Sequence, residues 1–163
     1  MLISETWYYT LADDTTEQPF SAWTQLGVRP ADGGAFPSVD GKAVLTLPAG
    51  ARGPAFLLLP NFRVVLQYNN STAYALSVGH LADRLRGGPP LVRSWPRGDR
   101  PLTTSERREL QMLLDRRGFA AGGPDGRLGP KTRAAVRAYQ SSVGLTPDGY
   151  ADVALLERLK REQ

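Results

Sequence analysis

Residues 122–149 read Gly-Gly-Pro-Asp-Gly-Arg-Leu-Gly-Pro-Lys-Thr-Arg-Ala-Ala-Val-Arg-Ala-Tyr-Gln-Ser-Ser-Val-Gly-Leu-Thr-Pro-Asp-Gly. The same tripeptide stands near its start and at its end, Pro124-Asp125-Gly126 and Pro147-Asp148-Gly149. In such a turn the Asp carboxylate accepts from the backbone ahead of it and the Gly supplies a positive φ. Between the turns Pro130 suits the first turn of a helix, Ala135, Val136 and Tyr139 share a face, and Gly144 stops the helix. The 23-residue offset between the two tripeptides is a short internal repeat. A helix held between two Asp-Gly turns is therefore the unit from which this end of the chain is built.

Upstream, Thr103-Thr104-Ser105-Glu106 is a capping box: Thr103 faces the Glu106 N–H and the Glu106 carboxylate reaches back. It predicts a helix with Leu110, Leu113 and Leu114 on its apolar face, ended at Gly118-Phe119. Downstream, Val153, Leu155, Leu156 and Leu159 predict a third helix. Residues 103–163 thus read as a three-helix domain of about sixty residues, near the lower limit for independent folding. Residues 89–102, rich in proline and carrying Trp95-Pro96-Arg97-Gly98, read as a linker. Residues 1–88 form the other part. Short apolar runs at Trp7–Leu11, Val44–Leu47 and Phe56–Leu59 predict strands, and Phe20–Leu26 a short helix. Asn61 is placed to cap a helix over Phe62–Leu66, and Ser71 a longer one on which Tyr74, Val78, Leu81 and Leu85 define a buried stripe. The expected fold is mainly α with a small β-containing N-terminal part.

Composition removes several classes of chemistry. The 163 residues hold no cysteine and one histidine, His80. Disulfides, thiolate metal sites and a cysteine nucleophile are excluded, and a single imidazole leaves little from which to build a metal centre or a Ser/His triad. No metal and no cofactor are expected. No apolar run approaches the eighteen or so residues of a membrane helix, and the N-terminal stretch lacks the pattern of an export signal. Of the 20 basic side chains 17 are arginine, yet they interleave with Asp83, Asp99, Glu106 and Glu109. The charge reads as a solvated surface and not as a nucleic-acid groove, with an anionic polymer of another kind left open.

Gly122 to Gln140 followed by Gly144-Leu145-Thr146-Pro147-Asp148-Gly149 resembles the three-helix peptidoglycan-binding domain. Further upstream Gly53-Pro54-Ala55-Phe56-Leu57, Asn61-Phe62-Arg63, Tyr68-Asn69-Asn70-Ser71 and Tyr74 to Asp83 follow in order. With Trp23-Thr24-Gln25-Leu26-Gly27-Val28-Arg29-Pro30 they resemble the C-terminal end of the catalytic domain in lytic murein transglycosylases of the membrane-bound type B family. The resemblance covers residues 19–163. It implies a partial lysozyme-like domain joined to a wall-binding module, with peptidoglycan glycan strands and stem peptides as partners, no nucleic acid, and a periplasmic or cell-envelope location.

Such enzymes cleave the MurNAc-GlcNAc bond without water. One Glu first protonates the leaving oxygen, then helps the muramyl 6-hydroxyl attack, and a 1,6-anhydro product results. That Glu sits in a Gly-x-Glu-Ser helix, and none of the six glutamates here, Glu5, Glu17, Glu106, Glu109, Glu157 and Glu162, stands in that setting. Glu5, beside Trp7-Tyr8-Tyr9, has apolar neighbours but neither the helix nor the glycine, and Asp13 and Asp14 are too close in sequence for a two-carboxylate glycosidase. No catalytic residue is assigned. The resemblance implies saccharide contacts from Tyr68, Tyr74 and Asn69. Aromatic faces suit pyranose rings and phenols suit sugar hydroxyls; packing at a helix start and a turn role are the structural alternatives. For the wall-binding module Arg127, Thr132, Tyr139 and Gln140 are the expected exposed contacts, with Tyr139 also a core position. Two functions stand open: the murein-binding part of a transglycosylase whose parent is the enzyme, or a standalone non-catalytic murein-binding protein.

Overall fold

The computed structural model describes residues 9, 11–12, 15–30, 35–36, 41–91 and 93–162. Glu5, Asp13, Asp14 and the run at Trp7–Leu11, apart from Tyr9 and Leu11, lie outside them. Tyr9 and Leu11 are partly buried against the N-terminal core. Among the described residues there are six α-helices and one three-stranded antiparallel sheet, in the order β1 (Glu17–Pro19), α1 (Phe20–Gln25), β2 (Lys42–Thr46), β3 (Phe56–Leu58), α2 (Pro60–Tyr68), α3 (Thr72–Leu85), α4 (Thr104–Arg116), α5 (Pro130–Ser142) and α6 (Val153–Arg161). The molecule is mainly α.

The central strand is β2, pairing Val44 with Glu17 on one side and with Leu58 on the other. Being covered on both faces, it is buried from Ala43 to Thr46, as its unbroken Ala-Val-Leu-Thr run requires. The edge strand β1, Glu-Gln-Pro, carries no apolar alternation and was not legible. Its Pro19 ends the strand and opens α1, whose Phe20 and Trp23, one turn apart, both point inward. Trp23 is fully buried and its indole N–H donates to the Ala43 carbonyl at 3.0 Å. Satisfying that donor lets the whole ring contribute apolar burial. These residues, with Val28, Leu45, Leu47 and Ala55, make the N-terminal core.

Two helix expectations change. Asn61 does not cap α2: Pro60 occupies the first helical position, Leu59 is the capping residue, and no side chain caps the helix. Proline lacks the N–H that a cap would satisfy and arrives with helical φ, so the start moves upstream, from Phe62 to Pro60. In α3, Ser71 caps as expected, its Oγ accepting from the Tyr74 N–H at 3.3 Å. The stripe of Tyr74, Val78, Leu81 and Leu85, however, faces outward, with Leu85 81% exposed. Ala75 and Leu76 are the buried positions. The small Ala75 lets α3 lie close to its neighbours, so the narrower side docks while the bulkier apolar side is left out.

The C-terminal core follows the sequence closely. Leu110, Leu113 and Leu114 of α4, Ala135, Val136 and Tyr139 of α5, and Leu155, Leu156 and Leu159 of α6 form one cluster. Phe119 meets Tyr139 edge to face, ring centres 5.7 Å apart. Both halves of the capping box are made, and Asp152 caps α6 through its carboxylate and the Leu155 N–H at 2.7 Å.

The two cores touch through polar groups. The 3-10 turn Gly50–Arg52 lies against the second Asp-Gly turn: the Ala51 N–H donates to Asp148 Oδ2 at 2.8 Å. The Arg52 guanidinium pairs with Asp99 at 2.7 Å and with Asp152 at 2.9 Å. At Gly50, where φ is +62°, a Cβ would stand 2.5 Å from Asp148 Oδ2 and 2.7 Å from Tyr150 Cβ, so only glycine permits this approach.

Candidate functional site

Tyr68 ends α2 and Tyr74 lies in the first turn of α3, so the Asn69-Asn70-Ser71 turn fixes how the two rings meet. Asn69 is extended, its carbonyl accepts from the Ser71 N–H at 2.7 Å, and Ser71 then caps the next helix. The rings stack with centres 6.3 Å apart and planes 28° from parallel. Tyr68 is 84% exposed and Tyr74 38%. Packing at a helix start, the structural alternative for both, buries neither ring in a core. Asn69 is exposed beside them. The arrangement offers an aromatic surface, two phenol hydroxyls and a carboxamide to solvent. Such a surface is chemically suited to rings bearing hydroxyl and amide groups.

The four positions expected on the C-terminal module divide differently. Arg127 is exposed. Thr132, Tyr139 and Gln140 are buried, so the expected exposure fails for these three. Each is occupied by the fold. Thr132 Oγ donates to the Ala121 carbonyl at 3.0 Å, and the Tyr139 hydroxyl donates to Glu162 at 2.8 Å. Burial first, and that bond second, hold the Tyr139 phenol above its ordinary pKa; the same bond, then Arg158, holds the Glu162 carboxyl below its own.

Gln140 reveals the logic of the repeat. Its carboxamide donates to Asp148 Oδ1 at 2.8 Å and accepts from the Gly149 N–H at 2.9 Å, while the Tyr150 N–H also reaches Asp148 Oδ1 at 2.9 Å. In the first turn Gln111 does the same: it donates to Asp125 Oδ1 at 2.9 Å and accepts from the Gly126 N–H at 2.8 Å, with the Arg127 N–H on Asp125 at 2.8 Å. The Gln111 bond, then the Arg127 N–H, keeps Asp125 below the ordinary carboxylate pKa. Gln111 was missed in the sequence. It lies on the apolar face of α4 between Leu110 and Leu113, and a buried glutamine on that face was the signal available. Each Asp-Gly turn is thus locked by a buried glutamine from a helix, which makes these turns architecture.

Among the described residues no group of His, Asp or Glu side chains is placed to hold a metal ion, and no helix is long and apolar enough to cross a membrane.

Comparison with known proteins adds family and relatives. Residues 1–83 match the transglycosylase SLT domain model and residues 103–159 a peptidoglycan binding domain model. A search of curated proteins finds no match. Two solved structures of SltB3 from Pseudomonas aeruginosa are similar over nearly the whole chain. The one in complex with NAG-anhNAM-pentapeptide is 50% identical over 93% of this chain, with a TM-score of 0.88. The one in complex with NAG-NAM-pentapeptide is 48% identical over 97%, with a TM-score of 0.91. This chain spans 41% and 43% of the length of those chains.

Proposed function

Since the chain belongs to the transglycosylase SLT domain family, we propose that it is a murein-binding segment of a lytic transglycosylase, acting in the cell envelope or periplasm. Residues 1–88 supply the C-terminal portion of a lysozyme-like catalytic domain, 89–102 the connection and 103–163 a peptidoglycan-binding domain. In the full-length parent the reaction is non-hydrolytic cleavage of the MurNAc-GlcNAc bond to a 1,6-anhydro product. The observation that carries the reading is the stacked, exposed pair Tyr68 and Tyr74 on a fold shared at 50% identity with SltB3, itself seen with a saccharide-pentapeptide. Tyr68, Tyr74 and Asn69 hold glycan by ring stacking and hydroxyl bonding. In the module Arg127 is the exposed contact, Thr132 and Gln140 serve binding by holding the turns, and Tyr139 by packing the core that carries them.

Co-sedimentation with insoluble sacculi at two salt concentrations, alongside chromatography of soluble products, tests this. The purified chain is expected to pellet with sacculi at both salts and to release no anhydromuropeptide, because no glutamate here stands in the Gly-x-Glu-Ser setting. Salt matters because the net charge of +4 could produce attraction without recognition. A chain that stays in the supernatant at high salt is not a murein binder. Anhydro product that vanishes with Glu5→Gln would make Glu5 the acid.

A further inference from the structure

Two cavities of about 520 and 500 Å3 lie on one flank of α3 and share Phe56, His80 and Leu91. They run into one trough between β3, α3 and the connecting segment. Its wall carries an aromatic pair outside the Tyr68–Tyr74 site: Trp95 stacks on Phe56, ring centres 6.2 Å apart, and remains 43% exposed. At one end Arg86 and Arg93 line the trough, both exposed and neither ion-paired to a described carboxylate. Arg133 of α5 lines the other end. Asp83 is the one carboxylate among the described lining residues, so the wall is cationic. His80 is half-buried and lines both cavities.

We propose that this trough is a second carbohydrate site, taking an acidic glycopeptide of the murein class. One sugar ring lies on the open face of Trp95 and the peptide carboxylates meet Arg86 and Arg93. The inference rests on the murein-binding reading and goes beyond it by assigning the connecting segment a ligand. Two features select this occupant. An exposed indole backed by a second ring offers a pyranose a stiff apolar face, and the Arg86 and Arg93 guanidiniums in the adjoining cavity match carboxylates further along the same ligand through forked hydrogen bonds. A neutral glycan uses only the first feature and a free acidic peptide only the second. Ala73, Ser77 and His80 recur at helical spacing on the trough side of α3, one position round from Tyr74, Val78 and Leu81. The two aromatic sites therefore occupy adjoining flanks of one helix.

The test titrates the full chain with NAG-NAM-pentapeptide and with neutral chitotetraose, followed by calorimetry, and measures sacculus binding in parallel. Trp95→Ala is expected to weaken glycopeptide binding about tenfold, with Trp95→Phe recovering most of it because the ring is kept. Arg86→Ala with Arg93→Ala is expected to weaken glycopeptide binding severalfold, reduce its salt dependence and leave chitotetraose unaffected. Melting temperatures close to the unaltered chain's establish that these exposed substitutions act on binding. If Trp95→Ala and the double arginine variant both keep glycopeptide affinity within twofold while the chain still pellets with sacculi, the trough is not a site and the murein reading stands. If the unaltered chain binds neither sacculi nor glycopeptide, both fall together.

Discussion

Tyr68 carries its ring almost wholly in solvent, touching Tyr74 and little else, so binding and stability separate cleanly at this position. Tyr68→Ala is expected to weaken glycan-strand binding by on the order of 1 kcal/mol and to leave the melting temperature nearly unchanged. A large loss of stability with unaltered affinity would contradict that. Gly126 is the opposite kind of residue. Its φ is +78° and an added Cβ would stand 2.9 Å from Thr104 Cγ, while its N–H is held by Gln111. Gly126→Val is expected to destabilise the C-terminal module by about 1–3 kcal/mol, read by thermal melting, with the N-terminal core unaffected. The Asp-Gly turns were legible because both requirements of a tight turn are written locally. The glutamine locks were not: Gln111 precedes its Asp by 14 residues and Gln140 by 8, so the repeat in space is no repeat in spacing. The same gap explains why Thr132 and Gln140 looked exposed in the sequence. Polar side chains on a helix face read as surface until the groups they must satisfy inside are known.

Helix α4 shows how far a local signal reaches. The Arg100 guanidinium above all, and after it the Thr103 N–H and hydroxyl, hold the Glu106 carboxyl well below the ordinary carboxylate range. A carboxyl depressed on folding stabilises at pH above its unfolded value and loses that contribution as pH falls toward the folded one. The melting temperatures of the unaltered chain and of Glu106→Gln are thus expected to differ at neutral pH and to converge as pH drops below about 4.5, the ordinary glutamate value. Salt should narrow the difference, since the pair is solvent-accessible. A difference independent of pH would show that the cap acts without its charge. Helix α3 gave the misleading pattern. Its apolar period is genuine, but Ala75 and Leu76 form a second, smaller apolar side, and periodicity alone does not say which side a helix buries. The outcome is decided by how closely β3 and α2 approach, which lies outside the helix's own sequence.

At the scale of the molecule, two separate hydrophobic cores are held together by few contacts, centred on Gly50, Ala51 and Arg52 against Asp148, Tyr150 and Asp152. Gly50→Ala drives a methyl into Asp148 and Tyr150 at a backbone angle that disfavours it, and is expected to part the two bodies without unfolding either. Limited proteolysis within residues 89–102 should accelerate and small-angle scattering should report a larger radius, while circular dichroism stays the same. An unchanged cleavage rate would show that the joint tolerates the methyl. This contact was invisible in the sequence, because it joins two turns 97 residues apart. Residues 103–163 looked self-sufficient from their caps and stops; the C-terminal core spans residues 102–159 and so takes in Leu102 from the connecting segment.

The bond from the Ala51 N–H to Asp148 also bears on reach. A wall-binding module on a loose tether would sweep a volume, and the local concentration of the second site would fall with the length of the tether. Here the closed joint sets one distance and one angle between Tyr68 and the helices of the module. If the chain binds murein as proposed, two attachment points at a fixed stride favour glycan strands lying at the matching spacing and orientation over strands that each site by itself would accept. The carboxylate that closes one turn of the chain would then serve as a ruler laid against the wall.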